Sequence, residues 1–112
     1  MDSILTSVKK MLGISKEYEH FDADLIMHIN SVFMVLSQLG VGPSEGFYIS
    51  DKNSTWDEFV EEGANLELVK TYMYKKIQLI FDPPTSSAAM QATNELIKEF
   101  EWRLNVAADT PK

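Results

Sequence analysis

Residues 66–81, "LELVKTYMYKKIQLIF", set apolar side chains around more than half of a helical circumference. Leu66, Leu68, Val69, Tyr72, Met73, Ile77, Leu79 and Ile80 all recur at helical spacing. A helix with so wide an apolar arc is central, covered by several neighbours at once. Asn65 stands where a cap would start it. Asp82, before Pro83, is pushed out of the α region, and Pro83 has no amide hydrogen to continue the ladder, so the helix must stop there. The rest of the chain therefore has to supply the cover.

Three further segments carry a helical stripe. Asp2 or Ser3 can cap a first short helix with Ile4, Val8, Met11 and Leu12 on one face. Gly13 is placed as its left-handed stop, with Ile14 packing back. Asp22 is an N-cap candidate for a second helix reaching about Leu39, its core face Leu25, Ile29, Val32, Phe33, Leu36 and Leu39. Gly40 and Val41 repeat the glycine-plus-apolar stop. Ser86 or Ser87 can cap a last helix on which Ala89, Thr93, Leu96, Ile97, Phe100 and Leu104 share a face. Between the second and central helices lies "GVGPSEGFYISDKNS", residues 40–54, a long connection expected to be mobile in the isolated subunit. Thr55 and Glu58 have capping-box spacing, so a short acidic helix should follow and end at Gly63. Residues 107–112 read as a flexible tail. The expectation is one all-α domain over residues 1–112, with four main helices and one short one. Its core should hold Ile29, Phe33, Leu36, Val69, Met73, Ile77, Ile80, Leu96, Ile97, Phe100 and Leu104.

Composition narrows the chemistry. With 112 residues the chain can bury a core without staples, and it has no cysteine for a disulfide, a thiolate metal site or a thiol nucleophile. Ten Lys and Arg against seventeen Asp and Glu give a net charge of −7, which opposes general nucleic-acid binding. No apolar run approaches the ~20 residues of a membrane span, and "MDSILTSVKKMLGI" does not read as a secretory leader. His20 and His28 lack a partner at metal-ligand spacing. Asp57, Glu58, Glu61 and Glu62 read as acids favoured at a helix start rather than as a catalytic pair. Lys70 and Lys75 straddle Tyr72 and Tyr74, the one place where a basic, aromatic surface is conceivable. "GVGPSEG" has no lysine and no strand–loop–helix context for phosphate. Neither catalytic residues, nor a cofactor site, nor a metal site is expected.

What remains is apolar side chains where a lone subunit has no use for them. Met27 and Met34, seven apart on the second helix, fall opposite its core face beside Asn30, Ser31 and Gln38. Trp102 falls opposite the apolar stripe of the last helix, beside Gln91, Glu95 and Lys98. Phe47 and Tyr48 lie in "FYI", too short for a sheet alone but able to pair with another chain. These five residues are the candidates for partner contact.

Three blocks, "FDADLIMHINSVFMVLSQLGVGP", "VKTYMYKKIQLIFDPPTSS" and "IKEFEWRLNVAAD", resemble the head–tail connector (head-completion adaptor) family of tailed bacteriophages and prophages. They cover most of the chain from Phe21 to Asp109. The resemblance implies a non-enzymatic helical protein, made in the bacterial host cytoplasm and located at the head–tail junction of the virion. It implies a homo-oligomeric ring of about a dozen copies beneath the portal protein, each subunit offering two different complementary faces. The ring would extend the DNA channel and give a stopper or tail-completion protein its docking surface. An acidic lining suits DNA that passes without sequence-specific binding. The alternative is a small helical DNA-binding or regulatory protein of a prophage. That reading needs a helix with basic and amide residues facing outward, and none of the four offers one clearly.

Overall fold

The wide apolar arc of the central segment decides the architecture. In a computed structural model, which describes residues 3–60 and 63–109, helix α3 (Ala64–Phe81) packs on each of the other three: α1 (Ile4–Met11), α2 (Asp22–Gln38) and α4 (Ser87–Asp109). Among the described residues a 3-10 turn at Trp56–Glu58 is the remaining helical element, and a single bridge between Ser3 and Thr55 is the only β-type pairing. The fold is all-α. Asp2, Glu61, Glu62 and residues 110–112 of the expected tail lie outside the described residues. Residues 107–109, expected in that tail, are the last residues of α4.

The helix ends follow local chemistry. Ser3 caps α1, its hydroxyl accepting from the Thr6 amide at 3.2 Å. At the other end the Gly13 amide bonds to Lys10 O at 3.1 Å and the Ile14 amide to Lys9 O at 2.8 Å, the paired bonds of a Schellman stop. The same pair closes α2: Gly40 to Ser37 O at 3.0 Å and Val41 to Leu36 O at 2.9 Å. Asp82 ends α3 at φ −150°, outside the α region, as a residue before proline must. Ser86 caps α4, its hydroxyl accepting from the Ala89 amide at 3.1 Å.

Two starts differ from the expectation. Helix α3 begins at Ala64 after Gly63, so Asn65 is inside it rather than capping it. Asp22 is in the first turn of α2, and Phe21 takes the cap position without a side-chain bond. The cause is Lys9. That side chain is buried in the α1–α2 junction, and its ammonium meets the Asp22 carboxylate at 2.8 Å and donates to Lys16 O at 3.1 Å. A buried cation without a counter-charge would be far more costly than an open helix cap.

The core is larger than the helices alone predict. Ile29, Phe33, Leu36, Val69, Met73, Ile77, Ile97 and Leu104 are buried as expected, and so are Ile4, Val8, Leu25, Val32, Leu66 and Tyr72. Leu96 and Phe100 are only half-buried, and Ile80 is 58% exposed. Ile80 stands on the last turn of α3, on the side that its neighbours leave uncovered, whereas Phe81 meets the Phe21 ring edge-on at 5.0 Å. Leu5, Ile49, Trp56 and Phe59 are additional buried residues, three of them from the segment between α2 and α3.

That segment is a strap. Asn30 grips the backbone of Ile49 from both sides, its amide donating to Ile49 O at 2.9 Å and its carbonyl accepting from Ile49 N at 2.8 Å. Phe47 packs on Phe33 and Phe59, with ring centroids 4.9 and 5.3 Å apart. The Ile4 amide donates to Ser54 O at 3.0 Å, and Trp56 Nε1 donates to Ser7 Oγ at 3.2 Å. Glu58 reaches back to the Thr55 amide at 2.7 Å, completing the capping box, but the element it starts is one 3-10 turn. Trp56 and Phe59, three apart, sink to the same side of that turn. The expected short acidic helix is therefore a turn whose apolar pair plugs the core.

Candidate partner-binding surface

The outer face of α2 is built by its 3.6-residue period. With Leu25, Ile29, Val32, Phe33 and Leu36 directed inward, Met27 and Met34 must project the other way, and they are 59% and 65% exposed. Asn30 is within one turn of both. Asn30 also holds Ile49, and the preceding residue in the strap, Tyr48, is 74% exposed. Phe47 alternates with Tyr48 and turns into the aromatic cluster under the strap. Phe47 thus supports the surface from below while Met27, Met34 and Tyr48 form it.

Helix α4 offers a second apolar point. Its inner face is fixed against α3 by Ile97 and Leu104 and by a polar clamp. The Tyr72 hydroxyl donates to the Glu101 carboxylate at 2.6 Å, and the Lys76 ammonium is 4.0 Å from the same carboxylate. Burial, together with that carboxylate, raises the Tyr72 hydroxyl far above its ordinary value of 10.0. Trp102, opposite this face, is 65% exposed. Beyond the hairpin turn the N-terminal half of α4 is nearly bare, with Met90 and Thr93 the only half-buried residues between Ser87 and Glu95.

The rejected chemical sites have structural occupations. The Thr55 hydroxyl donates to Asp57, which holds that carboxyl below its ordinary range, while Glu58 completes the cap. His20 packs edge-on against Phe21, with centroids 4.9 Å apart, and His28 is half-buried on α2. Among the described residues no three His, Asp or Glu side chains come together as metal ligands, and no helix is long and apolar enough to cross a membrane. The conceivable basic surface on α3 lacks one of its two tyrosines. Tyr72 is buried, Lys70 lies over the Trp56 ring at 5.9 Å, and Lys75 over Tyr74 at 5.5 Å.

A buried Lys9 and a core Trp56 were not read from the sequence. The signal for Trp56 was present: an apolar pair three apart directly after a capping threonine. Lys9 had none, because its partner Asp22 looks like an ordinary helix start.

Among comparisons with known proteins, a model of the phage connector protein family matches residues 4–111. No curated protein and no solved structure matches the chain.

Proposed function

This chain belongs to the phage connector protein family, and from that premise we propose that it closes into a ring beneath the portal protein. The family assigns it a structural role at the head–tail joint of the virion, among head and tail proteins. The ring, of about a dozen copies, extends the DNA channel and presents a docking surface to a stopper or tail-completion protein. The observation that supports this reading is the presence of exposed apolar anchors on two separate helices, Met27 and Met34 on α2 and Trp102 on α4. A lone subunit gains nothing from such patches. The net charge of −7 supports a conduit that lets DNA pass without holding it. The role requires no catalytic group, cofactor or metal.

The test is reconstitution. Portal-bearing, DNA-filled heads lacking this protein are incubated with it and then with tails. Rings at the portal vertex, retained DNA and restored tail joining are expected. Heads that never acquire the protein would refute the role.

A further inference from the structure

The two exposed flanks differ in a way that makes them fit each other. Helices α2 and α4 both pack on α3, and the side chains opposite their packed faces, Met27 and Met34 on α2 and Trp102 on α4, are exposed. The two helices approach one another at their C-terminal ends, where Asn105 donates to Leu39 O at 3.2 Å. The body is flat, 42 × 37 × 20 Å. The α2 flank carries two flexible thioethers: Met27 and Met34 stand two turns apart with the small Ser31 between them, its hydroxyl turned back onto Met27 O. The α4 flank is a single aromatic knob. A tryptophan inserted between two flexible thioethers is a favourable sulfur–aromatic arrangement.

The charges beside these patches are complementary. Asp24, one turn before Met27, is exposed and has no ion pair among the described residues. Lys98, one turn before Trp102, is exposed and likewise unpaired among them. The other charges near Trp102 are engaged within α4: Glu99 with Arg103 at 3.6 Å, and Glu95 with Gln91 at 3.4 Å. If Trp102 enters between Met27 and Met34 with the two helices running parallel, Lys98 is carried toward Asp24.

We infer that these flanks are the two halves of one interface between copies of this chain: Trp102 of one subunit seats between Met27 and Met34 of the next, and Lys98 meets Asp24. The assignment rests on the connector reading above. Different patches on one subunit make a heterologous contact, and such a contact repeats from copy to copy, generating a ring where the rotation closes.

The absence of cysteine makes the pairing testable by cross-linking. Ser31→Cys and Val106→Cys leave Met27, Met34 and Trp102 in place; Val106 is one turn beyond Trp102. The two variants are assembled onto portal-bearing heads, singly and mixed, and treated with a short bis-maleimide. Covalent dimers are expected from the mixture and not from either variant alone, and a chain carrying both cysteines should give a ladder. Dimers from either single variant would mean that a flank meets itself, which overturns the pairing. Incorporation and tail joining without a mixed dimer would also overturn it while leaving the connector role standing. Failure of the unmodified protein to enter heads would overturn both. As a second arm, Asp24→Lys and Lys98→Asp should each weaken incorporation, and together restore it. Singles that incorporate like the unmodified chain, or a double variant no better than the singles, would count against the charge contact.

Discussion

The strap side and the hairpin side of the molecule achieve opposite things with similar residues. On the strap side, a stretch with almost no regular structure is sealed: Ile49, Trp56 and Phe59 are buried, and Phe47 is wedged between Phe33 and Phe59. On the hairpin side, regular helix is left bare: Ile80 is 58% exposed, and the first half of α4 has few neighbours. Regular secondary structure is therefore no guide here to where the core ends. What decides is whether a second layer is available. The strap lies over α1 and α2, whereas the outer faces of α4 and of the end of α3 are left exposed among the described residues.

The sharpest way to break this contrast is at Trp56. Its side chain is fully buried and its ring nitrogen is bonded to Ser7. Trp56→Ala should destabilise the isolated subunit by about 3–5 kcal/mol, read by urea unfolding. A cost within about 0.5 kcal/mol, as for a surface residue, would mean that the strap is not part of the folded core.

A smaller effect tests the same side through the backbone. Gly42 has φ +90°, and a Cβ built there would come within 2.3 Å of the Phe59 ring. Gly42→Ala should cost about 1–3 kcal/mol from overpacking and left-handed strain together. Gly46 has the same φ but open space around a Cβ, so Gly46→Ala should cost less. Equal costs would show that Phe59 is free to move aside.

The α3–α4 contact is tested by pH. Tyr72 has a folded value above its ordinary 10.0, so the folded state holds the phenolic proton more tightly than the unfolded chain does. Its contribution is fully present below about pH 10 and is lost as pH rises through the folded value. Tyr72→Phe should cost about 0.5–1.5 kcal/mol at neutral pH through loss of the bond to Glu101. Its stability should also decline less steeply than that of the unmodified chain above pH 10. Parallel alkaline curves would place the tyrosine outside the clamp.

These comparisons show what the sequence made legible. The stripes of α1, α2 and α3 and their glycine and proline stops follow from period and local sterics, which neighbouring residues determine. Asp22 does not cap α2, because Lys9, thirteen positions earlier, recruits its carboxylate. Ile80 leaves the expected core because a helical period says which residues share a face, not how far along the helix the cover extends. The exposure of Met27, Met34 and Trp102 follows from the sequence because each lies opposite a strong stripe. Phe47 and Tyr48, adjacent in a loop, could be told apart only once Asn30 had fixed Ile49.

The smallest expected effect on folding belongs to Trp102, and it separates the two sides most cleanly. Both tryptophans stand on helical backbone, Trp56 in the 3-10 turn and Trp102 in α4, yet one is fully buried and the other is 65% exposed. Truncating the exposed one removes little that the isolated subunit uses, so Trp102→Ala should shift its stability by no more than about 0.5 kcal/mol. In the proposed assembly the same side chain would be an anchor, and anchors of this kind commonly cost ~2 kcal/mol or more when truncated. The symmetry of the proposed ring would repeat that loss at each contact. The expected outcome is a subunit that melts like the unmodified protein together with heads that fail to join tails and leak DNA. A subunit that melts far lower would show that Trp102 is held within its own chain. Normal joining by a normally stable variant would remove it from the interface.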